Sequence, residues 1–171
     1  HLTGITNEAV EGAPSFADIR DELTAFIGDL PILGHSVMFD IGFLQANGIS
    51  LTNPVLDTFQ LAQALLPQEP SYSLEILSEK YSLPHANKHR ADDDTRVAIE
   101  LYKLLLEKIR EIPRETMAKI APLLHKSRWG WKEIFLQTFG KMEENERRHG
   151  SFEAIPERRL AGFERSETNG A

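Results

Sequence analysis

The sequence predicts an α/β fold over residues 1–112, a helical extension over 113–148 and a polar tail over 149–171. Three observations predict it. Two short apolar runs, PILGHS (31–36) and NPVLDT (53–58), are bounded by proline, glycine or asparagine in the way of buried strands. Stretches of helical periodicity alternate with them, and alternation of this kind indicates α/β. Beyond Pro113 only helical patterns remain.

Taken in order, SFADIRDELTAFIGDL (15–30) places Phe16, Ile19, Leu23, Phe26 and Ile27 at helical spacing. PILGHS is then the first strand. VMFDIGFLQANG (37–48) reads as a helix that Asn47-Gly48 stops. NPVLDT is the second strand. TFQLAQALL (58–66) is a helix ended by Pro67, and YSLEILSEKYSLP (72–84) carries another before Pro84. A long helix begins near Ala91 and runs to Ile112, and Arg114–Arg148 divides into two helices supplied with apolar contacts by Trp129, Trp131, Phe135 and Phe139. From about His149 the chain is polar and aperiodic, the composition of a linker or disordered tail. Two strands make a thin sheet, because sheets usually have more.

Composition narrows the function classes. No apolar run approaches the roughly 18 residues of a membrane span, and no secretory signal pattern is present. Cysteine is absent, which excludes disulfides and thiolate metal sites and fits a reducing, cytoplasmic setting. The net charge of −7 is uneven: residues 1–112 carry 8 basic against 17 acidic side chains, and the remainder carries 11 against 9. An acidic front part does not suit a purely electrostatic nucleic-acid binder. It suits a site that collects cations through carboxylates.

The run HRADDD (89–94) concentrates three aspartates at the start of the long helix. At about 100° per residue, Asp94 falls with Val97, Ala98, Leu101, Leu105 and Ile112 in the apolar stripe. Asp92 falls with Arg96, Ile99 and Lys103, and Asp93 lies at the flank; both read as solvated charges at a helix N-terminus, worth a few tenths of a kcal/mol. An unpaired buried carboxylate costs several kcal/mol, so Asp94 needs a cation, an ion-pair partner or a proton. Asp40 shares its helical face with Val37, Phe43 and Leu44 and poses the same problem. One such residue is more often a structural hydrogen-bond acceptor. Two in a small domain suggest a shared Mg²⁺ or Mn²⁺, ions that select carboxylate oxygens.

His89, five residues before Asp94, falls on a loop at the mouth of such a site, where an imidazole can take a proton from water; alone it would read as a surface residue. His85 and His89 have the spacing of a helical zinc pair, but Pro84 and the polar HANK stretch argue for a loop and against zinc. His125 and His149 stand in polar surroundings and read as structural or exposed.

These residues carry a family likeness. GHSVMFDIGFL (34–44) resembles the second exonuclease motif and HRADDD the third of the DEDDh 3′→5′ exonucleases, the DnaQ-like proofreading group of the ribonuclease-H-like superfamily. HLTGITNEAVEGAPSF resembles the segment closing that family's third strand, and LDTFQLAQALLP and YSLEILSEKYSLP resemble the elements between the two motifs. The likeness covers His1 to Ile112. It implies a ribonuclease-H-like exonuclease fold, Asp40 and Asp94 as metal ligands, and His89 as general base. It also implies His35, Ser36 and Phe39, in the second motif, as substrate contacts. The activity implied is release of terminal nucleotides from a DNA 3′ end, with two Mg²⁺ or Mn²⁺ ions about 4 Å apart orienting water and stabilising the leaving oxygen. The interval of five between His89 and Asp94 matches the histidine type, since tyrosine-type relatives place their base four residues before the aspartate.

Two departures stand out. Ser36 replaces the asparagine more usual in the family. No aspartate is followed two positions later by glutamate, so the first motif, which supplies two further carboxylates, is missing. The expectation is therefore the C-terminal part of a longer protein, with the first strands and first motif outside this chain. Two ligands of four cannot hold both metals, so this part alone is expected to be inactive. A non-catalytic ribonuclease-H-like module binding nucleic acid or protein is the alternative; a His-Asp phosphohydrolase is excluded by the lack of an adjacent His-Asp pair. The helical extension resembles, more weakly, the region following the exonuclease domain in DinG-type helicases and polymerase-linked exonucleases, which implies a polymerase or helicase module in the same parent chain. Trp129 and Trp131 either pack there or stack on single-stranded substrate, with packing the more common role of such residues.

Overall fold

The computed structural model describes residues 5–85 and 90–148, and the backbone of 149 and 150. His89 and the tail over 151–171 lie outside the described residues, so the expectations for them stand as expectations.

A single turn, α1 (Asn7–Val10), is capped by Thr6, whose hydroxyl oxygen accepts from Ala9 N–H at 3.3 Å. Helix α2 (Phe16–Ile27) starts at a capping box: the Asp18 carboxylate accepts from Ser15 N–H at 2.9 Å. That arrangement satisfies amides which helical bonding leaves without partners. Phe16 meets Phe43 edge-on at 5.5 Å, but Phe26 is exposed, so α2 rests on its neighbour by a narrower face than its periodicity suggests.

Strands β1 (Ile32–Gly34) and β2 (Val55–Asp57) pair in parallel, with Leu33 opposite Leu56. The parallel pair is bridged by α3 (Met38–Ala46), which ends where Gly48 adopts φ 87. Helix α4 (Thr58–Leu65) follows β2 directly, and α5 (Leu74–Lys80) is capped by Ser73. The central element is α6 (Ala91–Arg110), which buries Val97, Ala98, Leu101, Leu105 and Ile109. The valine, leucine and isoleucine side chains each contribute about 1.5–3 kcal/mol when fully buried. Two further helices follow, α7 (Arg114–His125) and α8 (Lys132–Gly150), as the two-helix division of this region predicts.

α6 lies against α4, α5, β1 and α8. Leu61, Leu66, Leu77, Leu101, Leu105 and Ile109 form one core with Met117, Leu124, Trp131 and Phe135 from the helical extension. The extension is thus continuous with the domain's core. Trp131 is 0% exposed and its indole N–H donates to the Asp57 carbonyl at 3.2 Å, so stacking on substrate is closed to it. Gly130 passes so close to Val55 that a Cβ there would lie 1.9 Å from the carbonyl oxygen. This turn therefore lies directly against the backbone of β2 at Val55 and Asp57.

One sequence expectation fails in detail. Asp40 is exposed, and so are Met38, Phe39 and Phe43; of α3 only Ile41 is buried, with Val37 just before it. A helix packed along a single row leaves most of its apolar stripe in solvent, whatever its periodicity.

Candidate active site

At the carboxyl end of β1, a cavity of about 520 Å³ opens between α3, α5 and the first turn of α6. Gly34, His35, Asp40, Glu75, His85 and Asp94 are among its lining residues. Open α/β sheets place ligand sites at this end of their strands.

Asp40 reaches the cavity from the first turn of α3 and Asp94 from the first turn of α6. Both are set at helix N-termini, where the backbone dipoles favour negative charge. The Asp94 side chain is 35% exposed. Its Oδ1 accepts from His85 Nε2–H at 2.8 Å, and His85 Nδ1 lies 3.0 Å from Ser78 Oγ. The structure thus brings Asp40 and Asp94 to one cavity. Ser36 and Phe39 are not among the residues lining it, and Phe39 is 83% exposed.

His35 lines the cavity with both ring nitrogens engaged: Nε2–H donates to the Tyr72 carbonyl at 2.8 Å, and Nδ1 lies 3.0 Å from Thr58 Oγ1. Burial holds this imidazole below its usual value, against the opposing pulls of the Tyr72 carbonyl and the Asp57 charge. Ser36 adopts φ 58, in the left-handed region where asparagine is more at home than serine. Its N–H donates to Asp57 Oδ1 at 2.9 Å, and the same oxygen accepts from Phe59 N–H at 2.9 Å. Buried Asp57 therefore caps α4 and fixes the turn from β1 into α3, which carries Asp40.

Asp57 and Glu75 were not singled out from the sequence, and His85 was weighed only as half of a zinc pair and set aside as a loop residue. Asp57 directly after Val-Leu and before a helix carried an N-cap signal. His85 carried no signal for this role, because its partners Ser78 and Asp94 come from two separate places in the chain.

Carboxylates on two elements facing one cavity are the hard oxygen donors that Mg²⁺ and Mn²⁺ select. Among the described residues, no three His, Asp or Glu side chains gather closely enough to hold an ion. The donor set fits such a metal in kind and is short in number. Among the described residues, no helix is long and apolar enough to cross a membrane.

With an α/β scaffold carrying two acidic residues at the end of its sheet, the chain belongs to the exonuclease family, whose sequence profile matches residues 1–102. It is 34% identical over 127 residues to the 3′-5′ exonuclease DinG of Bacillus subtilis, covering 71% of this chain and 14% of that protein. It is 32% identical over 114 residues to the PolC-type DNA polymerase III of Clostridium perfringens, covering 64% of this chain and 8% of the relative. The 3′-5′ exonuclease DinG of Staphylococcus aureus aligns over 98% of this chain at 27% identity, covering 20% of its own length. The chain thus spans a fifth or less of these relatives.

Proposed function

We propose that this chain carries the second and third motifs of a 3′→5′ exonuclease that releases nucleotides from the 3′ end of single-stranded DNA. The observation that carries this reading is the meeting of Asp40 and Asp94, from separate helices, at one cavity beside the carboxyl end of β1. Membership of the exonuclease family and the names of the DinG relatives support the reaction class and its direction.

In this reading Asp40 and Asp94 hold divalent ions, Mg²⁺ or Mn²⁺, that when bound supply Lewis-acid stabilisation of the scissile phosphate. His89 accepts the proton of the attacking water, a task suited to an imidazole near neutral pH. Asp57 and His35 hold the β1–α3 turn in place through the bonds described above, and Ser36 and Phe39 meet the substrate strand outside the cavity. A polymerase or helicase module in the same parent chain delivers the 3′ end.

The chain by itself is expected to be inactive, since two carboxylates hold metal ions too weakly to keep them against water. The test is release of mononucleotides from 3′-labelled single-stranded DNA in Mg²⁺ or Mn²⁺. A protein that joins this chain to an Asp-any-Glu segment should show release that Asp40→Ala, Asp94→Ala and His89→Ala each abolish. Metal-dependent turnover by residues 1–171 alone, lost in Asp94→Ala, would refute the need for that segment.

The shortage of a third ligand among the described residues favours a second reading, a non-catalytic module that binds nucleic acid or protein. Any coding sequence found upstream of His1 should then lack the Asp-any-Glu pair.

A further inference from the structure

We propose that His85 is a positioning residue for Asp94, clamping one carboxylate oxygen so that the other is presented to a divalent cation. The inference rests on the reading of Asp94 as a metal ligand.

The clamp is built from three directions. Ser82 takes φ 54, and Leu83 N–H returns to the Ser78 carbonyl at 2.8 Å, so the chain after α5 doubles back over that helix. Pro84 follows, and its ring restricts the backbone just before His85. The His85 side chain is 5% exposed against 35% for Asp94, so the imidazole is the fixed partner and the carboxylate the accessible one. On its far side the ring meets Ser78 Oγ at 3.0 Å; Ser78 is 1% exposed and its hydroxyl lies 2.8 Å from the Glu75 carbonyl. A ring held at both nitrogens cannot rotate away.

The consequence concerns what Asp94 is kept from doing. A carboxylate near a helix N-terminus can turn toward the free backbone amides of the first turn. The bond from His85 Nε2–H holds Oδ1 elsewhere. A carboxylate accepts only, so the ring proton sits on Nε2, and that nitrogen has no lone pair for a metal; Nδ1 faces Ser78. His85 is therefore neither ligand nor general base. Groups that orient a metal ligand from behind typically change affinity 10–100-fold when removed.

Two substitutions separate positioning from mere packing. Asparagine places its amide near the Nδ1 position and reaches Ser78 but not Asp94; glutamine places its amide near Nε2 and reaches Asp94. Mn²⁺ binding to the full 171-residue chain joined to an Asp-any-Glu segment, read from the EPR signal of free Mn²⁺, is measured beside thermal melting in EDTA. His85→Asn should weaken Mn²⁺ binding about 10-fold, and His85→Gln should recover most of it, with similar melting temperatures for both. Wild-type affinity in His85→Asn, or affinity that follows melting temperature rather than the donor at the Nε2 position, overturns the proposal. If His85→Asn does not fold, Ser78→Ala serves: freeing the ring should lower affinity, and unchanged affinity overturns the clamp. Asp94→Ala binding Mn²⁺ as wild type does would instead refute Asp94 as a ligand, and this inference with it. Loss in Asp94→Ala without loss in His85→Asn refutes the clamp alone.

Discussion

Gly130→Ala tests how the helical extension is seated on the sheet. A Cβ at this position would lie 1.9 Å from the Val55 carbonyl oxygen and 2.9 Å from its carbon. Non-bonded atoms settle near 3.5 Å, so about 1.5 Å must be found by moving backbone. Val55 is held in register by its pairing with Ile32, and the next residue of the turn, Trp131, is wholly buried. Neither side can yield cheaply. Overpacking costs about 1–3 kcal/mol, and a backbone obstacle puts this case at about 3. At roughly 2–4 °C per kcal/mol for a domain of this size, the melting temperature should fall by about 6–12 °C. Gly42 in α3 and Gly140 in α8 are the controls, because an added Cβ there meets nothing within 4 Å. Alanine at either should stabilise by about 0.5–1 kcal/mol, the usual gain for replacing a helical glycine. Circular dichroism melts of the three variants decide the matter. Gly130→Ala melting within about 2 °C of wild type would refute a rigid contact between this turn and β2.

Trp131→Ala should cost about 3–5 kcal/mol by emptying a fully buried site, whereas Trp129→Ala, at a half-buried position against Phe135, should cost less; urea denaturation measures both. Packing alone predicts unchanged single-stranded DNA affinity in whichever of the two variants folds. Asp57→Ala strips the acceptor from Ser36 and Phe59 N–H, and two orphaned donors should cost about 3 kcal/mol, seen as a lower urea midpoint with unchanged slope. His35 gives a pH dependence. Burial lowers its proton affinity in the folded state relative to the unfolded chain, where the ring titrates near 6.5. The stability from the neutral ring is complete above that pH and is lost as pH falls below it. Urea midpoints between pH 7.5 and 5 should drop more for wild type than for His35→Gln, and parallel profiles would refute the assignment.

Sequence alone determined the local elements. Alternating strand and helix patterns, the Asn47-Gly48 stop and the proline breaks located both strands and the described helices other than the single turn α1 to within a few residues, because these signals act over one or two turns of chain. It also marked Asp94 as a carboxylate needing a partner. Tertiary structure decided the rest. Periodicity says which side chains share a face and is silent on what that face meets, so Asp40 read as buried although only one row of α3 finds the core. His85 read only as a loop residue, since Ser78 and Asp94 reach it only once the chain has doubled back after α5. The seating of Trp131 behind β2, seventy-four residues from the Asp57 carbonyl it bonds, was likewise a contact that only folding creates.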